Sequence, residues 1–187
     1  REMLVHVGTE VLTEKGYSAV GVDEILQRTG ISRCSFYYYF KTKEGFGAEL
    51  IDRYRHFITQ KLERCLSDTS LSPLGSLRTF VGEVRDEMAR TDCRSGCLVG
   101  KLAQEVNTLP ENFREQLSAV FAEWQAVFAR GLKRAQETGE LSPELDCAST
   151  AAFFWYGWGG ALQRANLELN IKPVDIFIGN FFSRLTG

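Results

Sequence analysis

The scarcity of histidine and the lack of long apolar runs limit the protein classes to which this 187-residue sequence can belong. Its only histidines are His6 and His56, and neither lies near a cysteine pair, so we expect no metal site and no cofactor. No run of about 18 apolar residues is present, and the richest apolar stretch, 151–162, is too short and too glycine-rich to span a bilayer. We find neither a signal peptide nor a polybasic anchor. We therefore expect a cytoplasmic protein without a membrane partner.

Cysteine usage excludes a secreted disulfide scaffold. The chain has five cysteines, an odd number, and their spacing is irregular. This pattern is typical of a protein from a reducing compartment. The positions are Cys34, Cys65, Cys93, Cys97 and Cys147.

The chain has a formal net charge of only −2, so neither sign of charge dominates. The charged residues are, however, unevenly distributed along the sequence. The stretch from Arg28 to Lys61 holds seven basic and three acidic residues, a local charge of +4. Residues 65–187 hold 12 basic and 15 acidic residues, a charge of −3. A basic segment joined to a mildly acidic remainder is typical of a protein that holds a nucleic acid at one end, although ordinary surface scatter also gives such numbers.

Helical periodicity runs along the whole sequence, and strand alternation is absent. With 44% apolar residues, a chain of this length can bury a substantial core in one or two domains. We predict an all-α fold of about nine helices. The expected bounds are 2–15, 22–30, a short helix after Ser32, 43–67, 73–91, 97–107, 110–138, 146–169 and a last helix after Pro173.

Residues 16–46 carry the most informative pattern. Gly30 is suited to the left-handed end of one short helix, and Ser32 is a good N-cap for the next. Phe36 and Phe40, four residues apart, should pack inward. The helix-turn-helix shape alone also occurs in proteins that do not bind DNA, but the side chains left outside are mostly donors to phosphates or base edges. These side chains are Arg33, Cys34, Ser35, Tyr37, Tyr38 and Tyr39.

A longer set of positions in this region has the order Gly-Tyr, a short helix, Gly, then Tyr-Tyr-x-Phe-x-x-Lys. Its members are Gly16, Tyr17, Ile25, Gly30, Tyr37, Tyr38, Phe40, Lys43 and Glu44. This order resembles the N-terminal domain of the tetracycline-repressor (TetR/AcrR) family, and the match spans residues 2–50. One departure is Cys34, where glycine or proline is usual. It changes the expected base preference and adds an oxidisable thiol at the DNA surface.

The resemblance implies a homodimeric repressor that binds a palindromic operator in double-stranded DNA and is released by a small-molecule effector. It implies a helix-turn-helix domain over 1–46 and a ligand-binding and dimerisation domain over 47–187. Effector binding would shift the long helix that starts at Lys43 and so weaken operator binding. We expect bases or sugars to be reached by Arg33, Ser35, Tyr37 and Tyr39, and phosphates to be held by Tyr38, Thr42 and Lys43.

The last two helices carry more apolar side chains than a small domain needs for its own core. One interpretation is a monomer in which these helices are buried on all sides. The other, which the resemblance implies, is a two-fold dimer through a four-helix bundle, which presents two recognition helices to a palindrome. The interface positions we assign are Phe153, Phe154, Gly157, Gly160, Phe177 and Phe181.

Large apolar side chains of the second domain are candidates to line an effector pocket. Taken singly, each is more simply explained as ordinary core. The candidates are Phe80, Met88, Phe121, Trp124, Phe128, Trp155 and Trp158.

Residues 94–106 resemble the matching segment of the repressors of N-ethylmaleimide reductase and of acrylate utilisation. In that subgroup the cysteine at the position of Cys97 is associated with the sensing of electron-poor small molecules. A helix start, with Lys101 one turn later, favours the thiolate. Related repressors often carry a lysine at the position of Asn166, so we expect no amine chemistry there.

Three interpretations of Cys97 stay open. The first is covalent sensing of a reactive electrophile. The second is reversible binding of a small unsaturated acid, for which Arg164, Lys101 and Arg94 are the candidate cations. The third is a structural cysteine at a helix start.

Two alternatives from other classes complete the sequence interpretation. An enzyme with Cys97 as nucleophile would need a base, and no histidine lies between Met88 and the C-terminus, so we expect no enzyme. A regulator that activates transcription, or that works without a ligand, fits the same DNA-binding motif.

Overall fold

The computed structural model describes residues 1–186. These residues form nine α-helices and no strand, which confirms the all-α prediction. The helices are α1 (Glu2–Lys15), α2 (Val22–Thr29), α3 (Arg33–Phe40), α4 (Lys43–Ser67), α5 (Pro73–Arg90), α6 (Leu98–Gln104), α7 (Glu111–Glu137), α8 (Cys147–Glu168) and α9 (Lys172–Thr186).

Capping groups fix the ends of the helix-turn-helix, as the sequence predicts. Gly30 ends α2 in the left-handed conformation, with a φ of 66°. Ser32 caps α3, because its Oγ accepts a hydrogen bond from the Ser35 N–H at 3.2 Å. Thr42 caps α4 in the same way, with Oγ1 accepting from the Gly45 N–H at 2.9 Å. Two sharp turns therefore set the directions of α2, α3 and α4.

The short helix α6 has narrower bounds than the sequence suggests. Cys97 is its cap rather than its first residue, and the Cys97 Sγ accepts a hydrogen bond from the Gly100 N–H at 3.4 Å. At the other end the Glu105 N–H bonds to the carbonyl of Leu102, three residues back. This tighter turn ends the α-helical pattern.

The chain forms two compact units, each built from two separate segments. The head unit contains residues 1–57 and 95–120, and the body unit contains residues 58–94 and 121 onward. Helix α6 and the first part of α7 thus belong to the head unit, although the sequence interpretation assigned them to the second domain. The functional division into 1–46 and 47–187 stays a prediction.

Aromatic packing in the head unit holds the inner face of α3. The rings of Phe36 and Phe40 lie 5.0 and 4.8 Å from the ring of Phe46 on α4, measured between centroids. Gly8 of α1 faces the same ring, and a Cβ there would lie only 2.3 Å from its edge. Helices α1 and α4 therefore bury one side of α3 and leave the other side outside the core.

Candidate DNA-binding surface and effector site

The outward face of α3 presents three consecutive tyrosines to solvent. Tyr38 is 73% exposed, Tyr39 44% and Tyr37 37%. Cys34, in the first turn, is exposed as well. Phenol hydroxyls thus stand on the face of the helix that can enter a major groove.

The polar side chains at the start of α3 already contact neighbours within the chain. The Arg33 guanidinium donates to the Asp23 carboxylate, and both side chains are largely exposed. The Ser32 hydroxyl donates to Ser35 Oγ at 3.0 Å. Exposed interactions of this kind are weak, so a phosphate or a base edge can replace them.

Lys43 is held inside the head unit, which differs from the role we assigned it. Its Nζ donates to the Tyr17 carbonyl at 2.8 Å and lies 4.1 Å from the centroid of the Tyr17 ring. Burial lowers the pKa of Lys43, and the nearby carboxylate of Glu105 opposes that effect. This ammonium ties α4 to the turn before α2, so its contact with a phosphate stays a prediction.

Lys41 is a cation that the sequence interpretation missed. It directly follows the last residue of α3 and has a positive φ of 63°. Its Nζ donates to the Tyr38 carbonyl at 3.0 Å and lies 5.4 Å from the Tyr38 ring centroid. Its place directly after the recognition helix is the sequence signal that makes it a candidate for a phosphate contact.

In the body unit, the predicted pocket residues come together in one aromatic cluster. The rings of Trp124 and Trp155 stack with centroids 5.1 Å apart, and Trp155 is 6.5 Å from Phe80. Phe128 lies 6.4 Å from Trp155 and joins the same cluster. The other candidates are Phe121 and Trp158, which contact the rings of Trp124 and Phe154, and Met88, which is buried.

Trp155 places a polar indole N–H group inside this cluster. Trp155 is 5% exposed, and its indole N–H has no hydrogen-bond acceptor among the described residues. A buried donor left in this state costs about 1–3 kcal/mol, because it has lost its hydrogen bonds to water. A carbonyl or carboxylate of a bound molecule would satisfy it.

Two of the six predicted dimer residues are buried inside the chain, which corrects that assignment. Phe154 is 0% exposed and Phe181 is 5% exposed. Phe154 stacks on Phe128 at 4.2 Å, and Phe181 lies 5.1 Å from Phe154. These two residues therefore pack against aromatic side chains of α7, α8 and α9 in the core of the chain.

The packing of α8 on α9 also uses two other predicted interface residues. A Cβ at Gly157 would lie 2.3 Å from the ring of Phe177, so the glycine admits that ring within the chain. Phe153 and Gly160 are exposed, as an interface requires. Tyr156 on α8, 71% exposed, is a large residue outside the six assigned positions.

Cys97 is partly buried in the head unit, and its thiol is engaged at the start of α6. Burial raises the pKa of this thiol, while hydrogen bonds from the Gly100 N–H and the Tyr54 hydroxyl oppose the rise. Burial of the thiol thus opposes the preference for thiolate that we expected from the helix start. Tyr54, on α4, is a neighbour that the sequence interpretation did not identify.

The predicted ligand residues fall into two groups. Cys97 and Lys101 belong to the head unit, whereas Arg164 belongs to the body unit with the aromatic cluster. The Arg164 guanidinium bonds to Glu168 of its own helix. The candidate cations Lys101 and Arg164 therefore belong to different units.

Asn166 has a structural role on α8. Its Nδ2 donates to the carbonyls of Cys93 and Arg94 at 2.9 and 3.0 Å. Cys93 follows Asp92, and both residues are left-handed, with φ of 58° and 49°. The amide therefore holds a sharply turned loop in place.

Neither a metal centre nor a membrane span is found among residues 1–186. No group of three or more His, Cys, Asp or Glu side chains there could hold an ion. In the same part of the chain, no helix combines the length and the apolar character needed to cross a bilayer.

A capped helix-turn-helix with an exposed recognition helix is typical of DNA-binding proteins. The chain belongs to the tetracycline-repressor family. Residues 4–50 match the family description "Bacterial regulatory proteins, tetR family", and residues 73–181 match "Tetracyclin repressor-like, C-terminal domain". The recognition made from residues 2–50 is confirmed.

Similar proteins of known name are regulators. The chain is 44% identical over 180 residues to the transcriptional regulator AcuR of Cereibacter sphaeroides, covering 96% of this chain and 82% of AcuR. It is 24% identical over 175 residues to the transcriptional repressor NemR of Escherichia coli, covering 94% and 88%. A crystal structure of a regulatory protein TetR from Rhodobacter sphaeroides superposes with a TM-score of 0.94 at 44% identity, covering 96% of this chain and 95% of that one. The chain is thus a transcriptional regulator and not an enzyme.

Proposed function

We propose that this protein is a ligand-responsive repressor that binds a palindromic operator as a homodimer. A small reactive electrophile or a small unsaturated carboxylic acid releases it. The observation that carries the proposal is the placement of Cys97 in the same compact unit as the recognition helix. The repressor acts in the cytoplasm, where its operators lie.

The DNA contacts follow from the exposed face of α3. Arg33 exchanges Asp23 for a base edge, and Tyr37 and Tyr39 reach bases or sugars. Tyr38 and Thr42 hold phosphates, together with Lys41. Lys43, the first residue of α4, adds a positive charge next to these phosphate contacts.

The dimer forms through the outer faces of α8 and α9. Phe153 and Tyr156 on α8 and Ile176 on α9 are large side chains exposed by 61, 71 and 53%. Gly160 is exposed next to them and has no atom within 4 Å of the position where a Cβ would be, so another helix can approach there. Burying this surface in a two-fold bundle removes it from water and brings two recognition helices onto one operator.

Cys97 supports the electrophile arm of the proposal. Its sulfur would add to the β-carbon of an activated alkene, forming an S–C bond while the C=C π bond breaks and the α-carbon takes up a proton. The thiol proton leaves first, and Tyr54 stabilises the thiolate through the hydrogen bond it already makes. The likeness of residues 94–106 to the matching segment of related repressors points to the same cysteine.

Trp155 supports the reversible arm. Its buried indole N–H can donate to the carboxylate of a small acid, and the stacked ring of Trp124 offers a flat apolar surface beside it. Binding there would involve no covalent step. Covalent sensing requires the Cys97 thiol, whereas reversible binding at Trp155 does not, so a substitution of Cys97 distinguishes the two modes of release.

The test is fluorescence anisotropy of the protein on DNA from upstream of its own gene, titrated with acrylate and then with N-ethylmaleimide. Wild type and Cys97→Ser are compared in a Cys34→Ser background, because Cys34 is an exposed thiol on the recognition helix. Release only when Cys97 is present would establish covalent sensing. Equal release of both proteins by acrylate would establish reversible binding, and no release by either compound would refute the effector classes named above.

A further inference from the structure

The segment that joins α6 to α7 holds the turn between α1 and α2. Glu105, directly after α6, accepts a hydrogen bond from the Ser18 N–H through Oε2 at 2.9 Å. Three residues later, Thr108 Oγ1 lies 3.0 Å from Ser18 Oγ. These two bonds join residues 87 and 90 positions apart in the sequence. All three residues belong to the head unit.

Gly16 is the residue that makes room for this contact. It ends α1 with a φ of 86°, a conformation that favours glycine. A Cβ at this position would lie 1.7 Å from Glu105 Oε1. The backbone conformation therefore favours glycine here, and a side chain at this position would also displace the Glu105 carboxylate.

The same turn is tied to the start of α4. Tyr17 accepts a hydrogen bond from Lys43 at 2.8 Å through its carbonyl, and its ring packs edge-on against Phe113 of α7, with centroids 5.3 Å apart. Lys43 is the first residue after the turn that ends the recognition helix α3. The turn thus lies between the α6–α7 segment on one side and the α3–α4 junction on the other.

We propose that Glu105 and Thr108 are positioning residues that couple α6 to the recognition helix through the Gly16–Ser18 turn. Helix α6 has seven residues, so a displacement at one end moves the other end with it. Loss of the bond from Ser18 releases the turn, and with it the Lys43 contact that helps to seat α3. The idea that a change at Cys97, the cap of α6, starts this movement rests on the proposed function.

The first test needs no effector and compares two substitutions that remove the same charge. Glu105→Ala removes the acceptor for Ser18, and Glu115→Ala removes an exposed carboxylate of α7 in the same unit. We expect Glu105→Ala to raise the Kd for the operator by about tenfold relative to Glu115→Ala, a typical size for coupling between sites. Unrelated DNA of the same length should bind both variants alike.

A conservative substitution separates positioning from a general loss of structure. Glu105→Gln keeps an oxygen that accepts from the Ser18 N–H, so it should restore most of the operator affinity. If Glu105→Ala does not fold, Thr108→Val takes its place in the comparison, because it removes the hydroxyl that contacts Ser18 Oγ and that donates to the Glu105 carbonyl at 2.9 Å. Equal operator Kd values for the folded variants and Glu115→Ala would overturn the proposal.

The second test follows the Ser18 amide by hydrogen exchange in the Cys34→Ser background, with and without N-ethylmaleimide. An adduct on Cys97, located by mass, should speed exchange across residues 16–20, and should add nothing in Glu105→Ala. If the adduct releases DNA while exchange at Ser18 stays unchanged, the coupling route is wrong and the sensing proposal stands. If no adduct releases DNA, the sensing proposal fails, and the operator comparison decides the role of Glu105.

Discussion

Two cations near the recognition helix are held in very different ways. Arg33 and its partner Asp23 have side chains exposed by 59 and 66%, so their pairing contributes at most about 1 kcal/mol. Lys43 is partly buried, donates to the Tyr17 carbonyl and covers the Tyr17 ring. The first side chain makes only a weak exposed contact, whereas the second also stabilises the fold.

Substitutions on the exposed face of α3 test the base contacts. We expect Arg33→Ala and Tyr39→Ala each to weaken operator binding by about 1–3 kcal/mol, because each removes a donor aimed at a base edge or sugar. Fluorescence anisotropy on operator and on unrelated DNA measures the effect. Unchanged operator affinity in both variants would refute the contact assignment.

Replacement of the two lysines that flank Thr42 should affect different properties, DNA binding in one case and stability in the other. Lys41→Ala should reduce the salt slope of DNA binding by about one. It should change the free energy of unfolding less than Lys43→Ala does, because its hydrogen bond to the Tyr38 carbonyl and its contact with the Tyr38 ring are exposed to solvent. Lys43→Ala should lower the free energy of unfolding by about 1–2 kcal/mol, since it loses a hydrogen bond and a cation–π contact. Urea unfolding and salt titrations of both variants supply the measurement, and each serves as the control for the other.

The reactivity of Cys97 should depend on pH in a way that reflects its burial. Because burial raises the pKa of this thiol, its alkylation rate should keep rising with pH beyond the point at which glutathione levels off. Tyr54→Phe should slow alkylation further, since it removes a hydrogen bond to the thiolate. Stopped-flow alkylation in the Cys34→Ser background gives the profile. A plateau at or below that of glutathione would contradict the raised pKa.

At the scale of helices, the packing of α8 on α9 depends on individual glycines. Gly157→Ala should lower the free energy of unfolding by about 1–3 kcal/mol, because its Cβ would meet the ring of Phe177 in a packed aromatic cluster. Gly159→Ala, two residues away, has open space around its Cβ and should stabilise the helix by about 0.5–1 kcal/mol. Chemical denaturation of the two variants checks the difference in sign. A destabilised Gly159→Ala would show that this surface is covered in solution.

Local chemistry explains which elements were predictable from the sequence. The bounds 43–67 of α4 agree with the structure, because Thr42 supplies a side-chain cap and apolar spacing continues to the end. The dimer assignment of Phe154 and Phe181 was wrong because α8 is rich in aromatic residues on several faces, so periodicity does not say which face turns inward. Tyr54 was missed because its contact with Cys97 joins residues far apart in the sequence.

At the scale of the whole molecule, the chain builds each unit from two segments. The sequence interpretation divided the chain once, whereas residues 95–120 pack with residues 1–57. Hydrogen bonds such as that from Gln116 to the carbonyl of Ala48 connect these segments across 68 positions. Composition and periodicity carry no information on pairing at that distance, so the division could be seen only in three dimensions.

The proposed dimer has a direct test in solution. Phe153→Glu places a charge in the exposed apolar face of α8 and should shift sedimentation from dimer towards monomer, because the carboxylate would lose its hydration in the interface. Met3→Glu, at an exposed apolar residue of α1, is the matched control and should leave the mass unchanged. A dimer of unchanged stability in Phe153→Glu would exclude this face as the interface.

The pairing of Arg33 with Asp23 has a consequence for how such a protein would search a chromosome. Any duplex, whatever its sequence, must displace Asp23 before Arg33 can bind it. A difference of about 1 kcal/mol shortens the dwell time on random DNA by about fivefold. A true site repays the exchange through specific base contacts, whereas a random site does not. One exposed acid thereby lowers the affinity for every duplex alike, so that only sites with specific base contacts hold the protein for long.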